Sequence, residues 1–310
     1  MREQEVTSGL SQQSKGGWKD GLLACGGFLF LLVSLFIPVL QFVALWLLPL
    51  PFLLLKAKRP WSTTLIPFGM LIVWLLFYPV PLFICLFLFA WLTGSVMGHL
   101  VRKEDATGTD TVLGGLVAGL VSSWIILLVG QLGFQLFSQL TTVWDQQWAE
   151  TVRLMGKNGI ALQDAGLSLS VAFPILLFML IVPSVVATFL VASRLLERAG
   201  FPRKSLPPFY EWRLPRIFFT AYLLLMIASL VQSGNEVGGD WILGFLYLMQ
   251  ILMVLQGCSF ALFLLQRRRG RVGWGSHALA LVLAVPLSPL FMLLGFIDTG
   301  IDLRGRLAKK

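Results

Sequence analysis

From Gly21 to Leu55 the chain carries no charged side chain. As one helix this stretch would reach about 50 Å, against about 30 Å for the hydrocarbon core of a bilayer. It is too apolar for a soluble fold and too long for one crossing, so it has to be divided. Pro38 supplies the break, because proline removes a helix donor and clashes with the preceding turn. The pieces are 21–38 and 41–55, the second short and bent by Pro49 and Pro51.

The same logic divides the rest. Trp61–Val101 would span about 60 Å as one helix. Tyr78-Pro79-Val80-Pro81 turns it, giving spans at 64–78 and 82–99. A fifth span occupies 112–134, with Thr109 and Asp110 before it as helix caps. The sixth, 168–193, is expected to kink at Pro174 and Pro183. The seventh is 215–231 and the eighth 241–265, stopped by Arg267, Arg268, Arg269 and Arg271. The last apolar run, 277–297, holds Pro286 and Pro289 near its middle. It either crosses fully or folds back as a re-entrant hairpin. Between the fifth and sixth spans, Trp144, Trp148, Val152 and Met155 recur at helical spacing among Asp145, Glu150, Arg153 and Lys157. That pattern is an amphipathic helix at the membrane surface, either covering the outer ends of the bundle or forming a lid over a cavity. The expected fold is therefore all-α, a polytopic integral membrane helical bundle of eight to nine spans with an amphipathic interfacial helix.

Charge supports the same class. Charged residues make up 13% of the chain, whereas a soluble domain carries about 25%. The net charge of +9 sits in short loops between apolar runs. The positive-inside rule accounts for it, so no nucleic acid partner is expected. The basic loops fall on one side and place the N-terminus in the cytoplasm. The order is then a cytoplasmic tail at 1–20, a first membrane half at 21–134 and an extracytoplasmic amphipathic segment at 135–167. A sixth span at 168–193, a basic cytoplasmic connector at 194–216, a second half at 217–297 and a basic tail at 298–310 complete it. The first apolar run has no small-residue cleavage site and is expected to be retained.

Catalytic chemistry is not legible. There is no His-Glu-x-x-His, no Gly-x-Ser-x-Gly and no Walker lysine. Cys25, Cys85 and Cys258 lie within apolar runs with no Cys-x-x-Cys pair, so neither disulfides nor a metal are expected. No cofactor is expected either. The polar groups inside the spans are amides, Gln131, Gln250 and Gln256. Their ordinary role is hydrogen bonding between helices; their functional role would be to bind a neutral small molecule. Gln250 lies nearest the centre of its span. Two glycine pairs, Gly94 with Gly98 and Gly115 with Gly119, flank one short loop. Small residues four apart allow close helix approach in lipid, so these two spans are expected to pack antiparallel.

The connector, GFPRKSLPPFYEWRLPR at 200–216, combines prolines that forbid a continuous helix with aromatic and basic residues suited to a membrane boundary. Tyr210, Trp212 and Arg213 are its expected interface anchors. This segment and LLGFIDTGIDLR at Leu293–Arg304 resemble the YybS-like family of bacterial membrane proteins. WKDGLLACGG near the start and TDTVLGGLVAGL at Thr109–Leu120 also fit that pattern. The resemblance implies a multi-pass protein of the cytoplasmic membrane and brings no activity with it. A more distant likeness is to the substrate-binding subunits of energy-coupling-factor transporters. The paired alanines that those subunits carry on their first helix are missing, since Phe28 follows Ala24 by four. The expected role is non-catalytic, binding or helping to move a small molecule. The alternative is a membrane scaffold or regulator of envelope or sporulation processes, with a membrane protein partner. Lipid is a partner in either case.

Overall fold

The computed structural model describes residues 20–58, 81–157, 168–202, 204–231, 237–270, 273–301 and 304. The span expected at 64–78 and the amphipathic segment beyond 157 lie outside the described residues. The helices are α1 (Asp20–Ser34), α2 (Leu40–Leu47), α3 (Leu50–Lys58), α4 (Pro81–Arg102), α5 (Gly108–Phe134) and α6 (Leu136–Lys157). They continue with α7 (Leu169–Arg198), α8 (Arg216–Val231), α9 (Val237–Arg269), α10 (Trp274–Ala284) and α11 (Ser288–Ile301). A 3-10 turn at Phe209–Glu211 precedes α8. No strand occurs among the described residues. The chain forms two compact units, one of Met1–Gln139 with Met179–Leu206, the other of Leu140–Phe178 with Pro207–Lys310.

Among the described residues, five segments are long and apolar enough to cross a membrane: Leu40–Lys58, Phe83–Arg102, Gly108–Leu132, Leu169–Arg198 and Gly239–Arg269. α10 and α11 form a sixth only if counted as one broken span, for they meet at a bend of 110°. The expected count of eight to nine is therefore not reached among the described residues. Within the described residues, α1 and α8, read from sequence as full spans, are apolar but short. At 16 residues, α8 covers about 24 Å of a hydrocarbon layer about 30 Å thick. The bend between α10 and α11 comes where Pro286 and Pro289 interrupt the run, and it favours the fold-back over a straight crossing.

In the first unit, Val39 takes a positive φ of 73° in the turn that separates α1 from α2, next to Pro38. The core is a trio of mutually packed rings, Phe28, Phe52 and Phe87, with centroids 5.2 to 5.5 Å apart. Leu32, Leu48 and Ala90 pack with them. The glycine pairs lie at close approaches, but they do not face each other. A Cβ on Gly94 would overlap the Pro49 carbonyl, and one on Gly98 would come within 2.7 Å of Lys56, so this pair seats α3 on α4. Gly115 instead meets Met97 of α4 and Val185 of α7 at 2.7 and 2.8 Å, and Gly119 meets Ile181 at 2.8 Å. The α4–α5 pairing expected from sequence exists, with glycine on one side of it only. The cap of α5 is Thr107, not Thr109: its Oγ1 accepts from the Asp110 N–H at 3.2 Å while Asp110 accepts from the Thr107 N–H at 2.8 Å.

α5 leaves Leu113, Val117, Val121, Trp124, Leu128 and Leu132 exposed along its length. A contiguous apolar face of this kind is incompatible with water and matches lipid tails. In the second unit, Tyr222, Leu246 and Met253 form the buried centre, with Met292 and Phe296 packed against them. Thus α8, α9 and α11 share one core. On α6, Trp144 and Trp148 stack at 6.4 Å with nearly parallel rings. α7 passes Pro174 and Pro183 as one uninterrupted helix.

Candidate functional site

The second unit contains a crossing that brings polar groups into its interior. On α9, Gly257 lies against α11 so closely that a Cβ there would overlap the Phe291 carbonyl. On α11, a Cβ on Gly295 would overlap the Met253 carbonyl and come within 2.9 Å of the Gly257 nitrogen. The two backbones are in contact, which only glycine permits at these positions. The neighbouring turns then place Gln256 and Ser259 of α9 beside Asp298 of α11. Gln256, Ser259 and Asp298 are all buried.

Arg304 completes the cluster and is fully buried. Its Nε donates to Asp298 Oδ2 at 2.9 Å. Nη1 donates to the carbonyls of Tyr210 at 2.7 Å and Trp212 at 3.1 Å. Nη2 donates to Ser259 Oγ at 3.1 Å. The guanidinium also lies 5.6 Å from the Phe260 ring centroid and 5.3 Å from that of Phe263, so aromatic faces replace part of its hydration. Asp298 Oδ2 takes a second hydrogen bond from Gln256 Nε2 at 2.7 Å. Gln256 Oε1 accepts from the Leu214 N–H at 3.0 Å. Ser259 Oγ has the Phe209 and Trp212 carbonyls at 2.8 and 3.0 Å as acceptors for its one proton.

This network answers a question that the connector poses. Prolines deny it a helical ladder, yet its backbone groups still need partners when packed on protein. Phe209, Tyr210, Trp212 and Leu214 find them in side chains from α9 and the end of the chain. The indole N–H of Trp212 donates to the Pro207 carbonyl at 2.9 Å, and its ring meets Phe209 at 5.7 Å. The division between the units falls within the connector, at 206/207. In the first unit, Lys204 Nζ donates to the carbonyls of Leu100 and Lys103 at 3.1 and 2.6 Å, a cation at the C-terminal end of α4. Burial lowers the pKa of this ammonium, and the Asp110 carboxylate opposes that shift.

Beside the network is a recess of about 210 Å³ lined by Arg213, Leu214, Pro215, Arg216, Gln256, Asp298 and Thr299. Arg213 and Arg216 are exposed at it, whereas Asp298 and Thr299 are buried. The three amides singled out from sequence have different fates. Gln256 is part of the network. Gln250 is partly buried on α9 and does not line the recess. Gln131 is exposed in the first unit, where its Oε1 accepts from the Phe137 N–H at 3.1 Å as the chain turns from α5 into α6. Of the expected anchors, Tyr210 and Trp212 contribute backbone carbonyls and Arg213 lines the recess. Among the described residues no three His, Cys, Asp or Glu side chains are grouped to hold a metal ion.

Sequence reasoning missed Ser259, Asp298, Thr299 and Arg304, and the glycines that bring them together. The signal was present: Asp298 is an acid in an apolar run, which in lipid demands a partner. Arg304 enters the sequence reading only as part of the basic tail and as the end of the Leu293–Arg304 motif.

Several apolar crossings, lipid-compatible helix faces and a buried polar network define a polytopic helical membrane protein. The chain belongs to the family described as Predicted membrane protein (DUF2232), which matches residues 27–299. It is 24% identical over 307 residues to the Uncharacterized protein YybS of Bacillus subtilis (strain 168), covering 89% of this chain and 93% of that protein. The YybS-like resemblance read from the connector and the C-terminal motif therefore holds. Neither finding brings in the energy-coupling-factor likeness. No solved structure matches.

Proposed function

We propose that this chain is a non-catalytic protein of the bacterial cytoplasmic membrane, with its N-terminus in the cytoplasm, that binds a small polar molecule. One observation carries this: Arg213, Arg216, Gln256, Asp298 and Thr299 converge with Leu214 and Pro215 on one recess beside the apolar core of their unit. Its volume is below the roughly 300–1,000 Å³ of drug-sized sites, so the ligand, or the part of it held here, is small. The buried network behind the recess holds its wall rigid, which is what a binding site requires of its supporting side chains.

The test is purification in mild detergent, identification of retained small molecules by mass spectrometry, and a thermal-shift screen against a broad metabolite set. A ligand of the recess should be lost in Leu214→Phe, which adds bulk at its wall, with the fold retained. If nothing co-purifies and no compound raises the melting temperature, the binding function is rejected. A scaffold role has one observation of its own: Trp212 keeps 37% of its surface exposed beside the exposed Arg213. Retention of a protein partner that is lost on Trp212→Ala would support that role.

A further inference from the structure

In the first unit, the break between α2 and α3 falls near the middle of the Leu40–Lys58 crossing, at Leu48 and Pro49. Pro49 and Pro51 carry no N–H, so the carbonyls of Leu45 and Leu47 lack the donor that a continuous helix supplies four residues on. The Trp46 carbonyl between them accepts from Thr188 Oγ1 of α7 at 3.1 Å. From α4, Gly94 lies so close that a Cβ there would overlap the Pro49 carbonyl. Thr93 is its neighbour in the chain, and Ser184 lies one turn before Thr188 on the same face of α7. The two helices also meet over α5, where a Cβ on Gly115 would come within 2.7 Å of Met97 and 2.8 Å of Val185. Met97 is one turn beyond Thr93, and Val185 follows Ser184. Thr93 and Ser184 are both 0% exposed, and neither hydroxyl has a hydrogen-bond partner among the described residues. Other buried helical hydroxyls bond to their own helix: Ser122 and Ser123 donate to the Gly119 carbonyl at 2.9 and 2.8 Å, and Thr299 to that of Gly295 at 2.8 Å. Ser95 is unpartnered too, but two residues from Thr93 it lies on another face of α4.

Carbonyl and hydroxyl oxygens with free lone pairs therefore converge on a helix break at membrane depth, where water is scarce and irregular backbone must be satisfied inside the protein. We propose that this break is a site for one Na⁺ ion, held by the freed carbonyls of α2 and by the hydroxyl oxygens of Thr93 and Ser184. The negative end of the α2 dipole lies at the same place, and the carbonyls of interrupted helices are suited to coordinating alkali cations within a membrane. A divalent ion calls for carboxylates, and none of these residues is acidic, so the site fits a single charge. Lys56, the nearest charged side chain on α2, α3, α4 and α7, belongs to the basic end of the crossing, where Arg102 repels it. The absence of metal expected from the cysteines does not bear on a site built of neutral oxygens. The site is independent of the recess in the second unit. A bound water can fill the same space, and the test separates the two.

The full chain in mild detergent is melted in sodium chloride and in choline chloride at the same ionic strength, choline being too large to enter. The expected result is a rise of about 3 °C in sodium that saturates with concentration, as for a site filled well above its dissociation constant. Thr93→Val and Ser184→Ala should each abolish the rise, whereas Thr93→Ser, which keeps the oxygen, should retain it. Ser122→Ala is the control, since that hydroxyl already bonds to the Gly119 carbonyl, and it should keep the rise in full. Sodium NMR gives a readout that needs no variant to fold: the parent should broaden the sodium line, and excess lithium should reverse the broadening. Equal melting in the two salts, no broadening by the parent, or an unchanged rise in both Thr93→Val and Ser184→Ala overturns the proposal. Losses of stability in the two single variants that fail to add in T93V/S184A, without any salt effect, also overturn it and identify a bridging water instead.

Discussion

Arg304 donates hydrogen bonds to Asp298, the Tyr210 and Trp212 carbonyls and Ser259 from a fully buried position. A lysine would keep the charge there but lose the planar fork that reaches Asp298, two carbonyls and Ser259 together. Removing one member of a buried pair strands the other, at a cost of about 3–5 kcal/mol. Arg304→Ala and Asp298→Ala should each destabilise the protein by about that amount, and the double variant by much less than their sum. Denaturant or thermal unfolding of all three in detergent reads this cycle. An Arg304→Ala variant that unfolds like the parent would show that the pair contributes nothing. Asp298 was legible in sequence as an oddity. Its partner was not, because Gln256 and Asp298 are 42 residues apart and Arg304 and Tyr210 are 94 apart.

Among the elements, the α9–α11 crossing has the narrowest tolerance. Gly257→Leu and Gly295→Leu each drive a side chain into a facing backbone carbonyl, which has no rotamer with which to yield. Both should separate the helices and lower stability by at least about 3 kcal/mol, in line with severe overpacking. Gly156, on α6, is the control, since among the described residues nothing lies within 4 Å of a Cβ there. Gly156→Ala should stabilise by about 0.5–1 kcal/mol through helix propensity alone. Equal losses at all three positions would reject the backbone contact. Here the sequence pointed at a different pair of helices. Gly94, Gly98, Gly115 and Gly119 announce themselves by their spacing, whereas Gly257 and Gly295 have no glycine four residues away and so fall outside that pattern. The cap of α5 missed by a smaller margin, because Thr107 and Thr109 are chemically equivalent and only backbone geometry selects between them.

For the whole molecule, topology is the property that can be measured first. On a background lacking Cys25, Cys85 and Cys258, single cysteines at Lys58, Lys103 and Arg268 should be protected from an impermeant reagent in intact cells. One at Glu150 should be labelled. The opposite pattern would invert the orientation. Because Arg304 bonds to the carbonyls of Tyr210 and Trp212, a reporter fused after Lys310 should report the same side as a cysteine at Arg213. Opposite sides would contradict the fold-back of α10 and α11.

By itself the sequence determined the class of this protein, since runs of uncharged residues longer than a bilayer is thick have no other stable environment. It also determined where those runs break, because proline acts locally at Pro38 and at Pro286 and Pro289. The connector was legible as a structured segment for the same reason. Only the tertiary structure decided which helices touch and which polar groups share one interior. Among the described residues α8 is shorter than a full crossing, a backbone-to-backbone contact fixes α9 on α11, and Arg304 closes on the connector. These are contacts between residues far apart in the chain, and neither periodicity nor local propensity carries information across that distance.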